Sequence, residues 1–262
     1  MDGKAELKAP VMRIAVIADI HGNDFALEAV LEDIAAQGIT EVVNLGDHLS
    51  GPLNAARTAD ILMDRDFPSI RGNHDRWLTT RAPADMNSWD RFSHAYLEPR
   101  HFDWLRALPP TLVYRDEILL CHGTPASDTT YWLEDLTPQG VLHMSARRRI
   151  EELAGDEDVA VILCGHTHIP RAVRLSDGRL VVNPGSVGCP GYDDDEPVFH
   201  KVETGSPDAS YAVLEKTGDE KTGDAWNVNF RCVRYDNLAM ARLAGERGHA
   251  EWQRALSTGW LD

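Results

Sequence analysis

From Arg13 to Ala18 the chain runs RIAVIA, a nearly unbroken apolar stretch that stops at Asp19. Strands covered on both faces read as such runs and not as alternation, so a buried strand is expected here with Asp19 at its carboxyl end. Ala26, Leu27, Val30, Leu31 and Ile34 then recur at helical spacing, behind the possible caps Asn23 and Asp24 and closed by Gly38. The unit repeats as a strand from about Glu41 to Leu45 ending on Gly46-Asp47, a helix opened by Pro52 and running to about Met63, and a strand ending near Arg71. Further strands are expected at Thr111–Tyr114, Ile118–Cys121 and Val159–Cys164, with a helix from about Pro138 to Leu153 before the last of them. Strands alternating with helices imply a largely parallel sheet.

Beyond Cys164 the pattern changes. Arg171–Leu175 and Arg179–Val182 flank Ser176-Asp177-Gly178, a hairpin signal, and antiparallel strands are expected to continue to Tyr235 before a last helix over about Asn237–Leu256. Gly205–Asp208 and Gly218–Asp224 read as turns. No internal repeat or linker divides the chain, so residues 11–262 are expected to form one domain behind a mobile tail, residues 1–10, that lacks the apolar core of a signal peptide.

Composition narrows the setting. No apolar run approaches the roughly 18 residues of a membrane span. The four cysteines, Cys121, Cys164, Cys189 and Cys232, form no close pair, as expected of thiols in a reducing cytoplasm. A formal charge of −16 opposes long nucleic acids and anionic membranes, so any attraction for phosphate must be local, as a pair of divalent cations would make it.

The candidate chemistry sits where strands end. Asp19-Ile20-His21, Gly46-Asp47, Gly72-Asn73-His74-Asp75, His122-Gly123 and Gly165-His166-Thr167-His168 each follow an apolar run. Loops beyond the carboxyl ends of strands in α/β sheets converge on one cleft, and carboxylate, imidazole and amide oxygen together suit borderline divalent metals. His48, His94, His101, His143, His200 and His249 fall outside these segments. Trp89, Tyr96, Tyr131 and Trp132 lie in two stretches, Ala82–Pro99 and Thr124–Glu134, that either lid the cleft or anchor loops, anchoring being the commoner use of such aromatics.

In this order, D-x-H, G-D, G-N-H-D, H and G-H-x-H resemble the calcineurin-like metallophosphoesterase superfamily over about Arg13–Val187, and ADIHGN at Ala18–Asn23 with NPGSVG at Asn183–Gly188 look most like its small prokaryotic phosphodiesterase-like branch. The resemblance implies a four-layer αββα sandwich, two mixed β-sheets flanked by helices. It also implies that Asp19, His21 and His168 hold one metal, that Asn73, His122 and His166 hold another, and that Asp47 bridges them. His74 would act on the leaving group or transition state, with Asp75 orienting its imidazole. Mn²⁺ is the first expectation for the metals, with Fe, Zn, Ni or Co as alternatives.

The implied activity is hydrolysis of a small phosphate ester, foremost a phosphodiester, by attack of a hydroxide shared between two metals. Phosphomonoesterase is an alternative. A protein serine/threonine phosphatase fits less well, because Gly46-Asp47-His48-Leu49-Ser50-Gly51 departs from G-D-x-V-D-R-G and Asp75 stands where that branch carries glutamate. Some relatives of the fold have lost their ligands and serve as scaffolds, but no expected ligand is missing here. Substrate contacts and oligomeric state are not legible.

Overall fold

The computed structural model describes residues 12–219 and 223–262; residues 1–10, expected as a tail, and the tip of the expected turn at 220–222 lie outside them. Two mixed sheets face each other. In the first, β1 (Met12–Ile17) pairs in parallel with β2 (Glu41–Asn44) and antiparallel with β12 (Ala209–Asp219), which pairs antiparallel with β13 (Gly223–Val233). In the second, β4 (Ile118–Leu120), β7 (Val161–Leu163) and β9 (Leu180–Asn183) run parallel, edged by the antiparallel β3 (Leu112–Tyr114) and β8 (Arg171–Arg174).

Strand periodicity explains why the central strands read as continuous apolar runs. Ile14, Val16, Val43, Ala212 and Leu214 point inward against Ile118, Leu120, Val161, Leu163 and Val182, forming the core between the sheets. The alternate residues of the first sheet, Ala15, Ile17, Val42, Tyr211 and Val213, face outward onto Leu27, Val30 and Ile34 of helix α1 (Asp24–Ala36). On the second sheet Leu119, Ile162 and Val181 meet Trp132, Leu133 and Ile150. Each central strand is therefore covered on both faces, as the expected four-layer arrangement requires.

The helices between β2 and β3 are α2 (Ala55–Arg65), α3 (Asn73–Thr80), α4 (Ser88–Tyr96) and α5 (Pro99–Ala107). Two expectations are corrected. The strand foreseen before Arg71 is reduced to a single parallel bridge between Asn44 and Ser69, because α3 begins only four residues later. The helix foreseen over Pro138–Leu153 is mostly a hairpin, β5 (Glu134–Leu136) with β6 (Leu142–Met144), and only α6 (Arg147–Leu153) is helical. Gly140 there takes φ +77° and packs its backbone on Phe199, so a turn and not a helix is dictated. A further hairpin joins β10 (Gly191–Asp194) to β11 (His200–Glu203). The last helical stretch is broken at Gly248 into α7 (Asn237–Glu246) and α8 (Ala250–Thr258).

Among the described residues no helix is long and apolar enough to cross a membrane. One polar clamp ties α1 to the first sheet: Asp33 accepts from Arg231 Nε and Nη2 at 2.8 and 2.9 Å and also from Tyr211. These bonds to Arg231, opposed by partial burial, hold the Asp33 carboxyl below the usual carboxylate range. A carboxyl with a depressed folded pKa adds stability above its unfolded value of about 3.9 and loses it as pH falls through the folded one. Asp33→Asn is expected to cost about 1 kcal/mol near neutrality, as a partly exposed bidentate pair does. Urea titrations should show the gap to wild type closing below about pH 4; a gap unchanged at about pH 3 would assign the loss to packing instead.

Candidate metal centre

The strand ends of both sheets open on one cleft of about 1000 Å³, and the structure brings every expected ligand to it. Asp19 and His21 follow β1, Asp47 follows β2, Asn73 opens α3, His122 follows β4, and His166 and His168 follow β7. Backbone bonds lace these loops together: Asp19 N to Gly46 O, His21 N to Asp47 O, Gly165 N to His122 O and Gly188 N to Asp19 O, at 2.7–3.0 Å. Asp19, His21, Asp47, His166 and His168 all adopt left-handed backbone, with φ between 51° and 70°. Each such non-glycine residue costs of order 1 kcal/mol, and strain of this kind gathers where side chains must be aimed at a common point. Gly72 is required by close approach, since a Cβ there would strike the carboxylate of Asp47.

The ring nitrogens decide what the site can hold. Nδ1 of His21 lies 2.7 Å from Ser50 O, Nδ1 of His168 2.8 Å from Cys189 O, and Nδ1 of His122 2.8 Å from Leu45 O. A carbonyl only accepts, so each Nδ1 carries its hydrogen and each neutral ring presents a lone pair on Nε2. The Nε2 atoms of His21 and His168 face each other at 3.2 Å, beside Asp19 at 3.5 Å from His168. Nε2 of His122 faces Asp47 at 3.0 Å. Lone pairs and carboxylates in such contact repel unless a cation stands among them. His166 is anchored the other way round, Nε2 to Thr129 O at 3.1 Å, which presents Nδ1.

Two clusters result, Asp19 with His21 and His168, and Asp47 with His122 and His166, each with ligand atoms within 4.8 Å of one another. They adjoin, because Asp19 Oδ1 is 3.9 Å from His122 Nε2. Asn73 Oδ1 and His122 Nε2 are buried without a hydrogen-bond partner, as donors awaiting an ion would be. The donor set thus fits two divalent cations.

Protons mark the same places. Burial alone would lower His122, but the charge of Asp47, 3.0 Å away, raises it to about 10. Burial likewise opposes a rise at His168, but the charge of Asp19 outweighs it and carries this imidazole well above its ordinary value. His21 and His166 are driven down to about 4 and about 3 by burial and by the neighbouring cations His168 and His122. Asp19 and Asp47 stay below the usual carboxylate range although burial alone would raise them, His168 and His122 respectively outweighing it.

The expected role of Asp75 is corrected. Its carboxylate does not reach His74: it accepts from the backbone N–H of Asp47, His48 and Gly72 at 2.8, 3.1 and 2.9 Å and from His48 Nδ1 at 2.7 Å. One turn into α3, Asp75 lies over the Asp47 loop and binds the N–H groups that loop exposes. His74 Nδ1 instead donates to Asp90 Oδ1 of α4 at 2.8 Å, and its backbone N–H donates to Asp47 Oδ1 at 2.9 Å. Burial lowers His74, but Asp90 and then Asp47 raise it to about 9.

The wider cleft sorts the aromatic candidates. Trp89, inside α4 and not in a loop, lines the cleft and meets Trp252 edge to face at 5.4 Å. Tyr131 lines it too, bonded to Tyr192 and His200, whereas Trp132 is a core residue and Tyr96 is exposed. Trp77, with Arg81 stacked on it at 4.0 Å, was not foreseen, nor was the acidic rim of Asp135, Asp193, Asp194, Asp195 and Glu196. Asn23 caps α1 as expected, Cys121 and Cys164 are buried, and Arg71 donates to the carbonyl of Leu108.

Known proteins supply the context for this geometry. An uncharacterized protein of Methanocaldococcus jannaschii is 27% identical over 199 residues, covering 68% of this chain and 76% of that protein. A metallophosphoesterase from Sphaerobacter thermophilus superposes with a TM-score of 0.71 at 25% identity, covering 95% of this chain and all of the other. The model of the calcineurin-like phosphoesterase superfamily domain matches residues 12–206, well over half the chain. A mixed-sheet sandwich whose strand ends gather two carboxylate–imidazole clusters, matched over that span, belongs to the calcineurin-like phosphoesterase superfamily.

Proposed function

We propose that the protein hydrolyses a small phosphate ester, foremost a phosphodiester, with two divalent metals held by Asp19, His21 and His168 and by Asn73, His122 and His166, and with Asp47 between them. The observation that carries this reading is the set of ring nitrogens anchored to backbone carbonyls, so that their free lone pairs meet two buried carboxylates. Bound divalent ions supply Lewis acidity to the phosphoryl oxygens and bring a water's pKa near neutrality. Imidazole-rich sites accept several metals, and Mn²⁺ is taken as the working ion, with Fe, Zn, Ni or Co admissible.

The chain's own residues do the rest. His74 lines the cleft with Nδ1 committed to Asp90, which leaves Nε2 to donate to the leaving oxygen. At the rim Asp135 is paired with Arg149, and the run Asp193, Asp194, Asp195 and Glu196 repels a long polyanion, which favours a small substrate over a nucleic acid. The charge and cysteine content favour a cytoplasmic setting.

The test is direct. Metal-stripped protein is expected to cleave bis(p-nitrophenyl) phosphate only once Mn²⁺ is restored. Asp47→Asn should lose bound metal and turnover together, while His74→Ala should keep its metal and lose about 10²- to 10⁴-fold in kcat. Comparing p-nitrophenyl phosphate with the diester separates monoesterase from diesterase. Protein that binds no metal after metal-replete purification would point to a scaffold. Because the ions bind only the folded chain, chelation is also expected to lower Tm by several degrees, about 4 kcal/mol of stabilisation arising at a thousandfold excess over Kd.

A further inference from the structure

His74 needs an acceptor for Nδ1, but the carboxylate of Asp75 beside it is committed to the amides of Asp47, His48 and Gly72, and residue 50 is a serine. The acid comes from a separate helix. Asp90, wholly buried, receives His74 Nδ1–H at 2.8 Å and the Ser50 hydroxyl at 2.6 Å on the same oxygen, Oδ1. Its place is fixed at both ends of the helix turn that carries it. Asn87 caps α4 by accepting from Asp90 N at 2.8 Å, and Ser93 donates to Leu49 O and accepts from Gly51 N at 2.8 and 2.9 Å, which pins α4 to the loop holding Ser50. Asp90 Oδ2 is buried without a partner. A buried carboxylate so poorly satisfied is a weak source of stability, so the arrangement serves the imidazole more than the fold.

We propose that Asp90, steadied by the Ser50 hydroxyl, is the positioning residue for His74, fixing the tautomer and ring orientation that turn Nε2 toward the cleft. Asp90 acts only through His74 and touches no reacting atom. The effect on turnover rests on the phosphoesterase reading above; the pairing itself does not.

Two measurements test the proposal separately. In NMR spectra the Nδ1–H resonance of His74, assigned by its loss in His74→Ala, is expected far downfield in wild type and shifted upfield in Asp90→Asn. A resonance indifferent to Asp90→Asn overturns the pairing whether or not the protein turns over. Kinetically, bis(p-nitrophenyl) phosphate and diphenyl phosphate are both diaryl diesters, and the phenol that leaves from the second is much the poorer leaving group. Asp90→Asn is expected to lower kcat on the poorer leaving group about 10- to 100-fold, with a smaller loss on the better one and with KM and bound metal unchanged. Adding His74→Ala to Asp90→Asn should cost nothing beyond His74→Ala alone. Equal losses on both diesters, lost metal, or additive losses would overturn the positioning role. Should Asp90→Asn not fold, Ser50→Ala, which leaves the carboxylate in place and removes one hydrogen bond to it, is expected to show the same leaving-group pattern with a loss of about 2- to 10-fold on the poorer leaving group, and the absence of that pattern counts against the proposal. A wild type that cleaves neither diester overturns the functional reading and leaves the resonance to decide the pairing.

Discussion

Two carboxylates, Asp19 and Asp47, sit fully buried within reach of four imidazoles, and nearly everything about this end of the molecule follows from keeping them charged. A buried anion without a counter-charge costs several kcal/mol, far more than one hydrogen bond returns. Among the described residues the ion-pair partners of Asp19 and Asp47 are histidines, not arginine or lysine, so both clusters are built of groups that coordinate cations or bind protons. Protons on His122 and His168 meet the need in part, at about 10 and well above the ordinary imidazole value. Divalent ions held by the same residues would meet it further, because each carries twice the charge of a proton. The left-handed backbone at five of these residues is the conformational cost of aiming the donors inward, and the packed strands behind them keep the loops from relaxing.

The surrounding fold then reads as support for that centre. Asp75 spends its carboxylate on the amides of Asp47, His48 and Gly72, which fixes the loop that carries Asp47. Carbonyls of Leu45, Ser50 and Cys189 orient three histidines, and Thr129 orients the fourth. Glu134, buried, binds Thr167 and Arg171 at 2.6 Å each and holds the loop between His166 and His168. Those bonds come from main chain and from residues distant in sequence, so the ligands are placed by the tertiary structure and not by local turns alone.

This division explains what the sequence made legible. Ligands sit at strand ends, and strand ends are marked by apolar runs breaking on Asp, His or Gly; that local signal located Asp19, His21, Asp47, Asn73, His122, His166 and His168 at one cleft. The sheets were legible for the same reason, since β1, β4 and β7 are apolar on both faces. The stretch from Pro138 was not, because residues spaced for a helix also suit a hairpin when Gly140 takes positive φ and backbone crowds it. Asp90 was hidden more deeply. Asn87 followed three residues later by Asp90 reads as an ordinary helix start, and nothing local shows that its carboxylate faces Ser50, forty positions away. The family resemblance gave Asp75 the same task, but α3 turns that side chain back over its own N-terminus, where it accepts from Gly72 N–H.

The electrostatics of the cleft run in opposite directions along its depth, and that gradient constrains what reaches the centre. At the floor, bound cations would draw phosphate strongly. At the mouth, where Arg149 pairs with Asp135, the run Asp193–Glu196 would repel it, and the chain as a whole carries a formal charge of −16. A long polyanion meets the repulsive field over its whole length and the attractive one at a single ester, so steering works against it. Under the proposed function, a compact ester with one charged phosphate would cross the rim once and then sit wholly within the attractive field. Selection by size and charge would then precede any specific contact, leaving Trp77, Trp89 and Tyr131 along the walls to meet the uncharged remainder of such an ester.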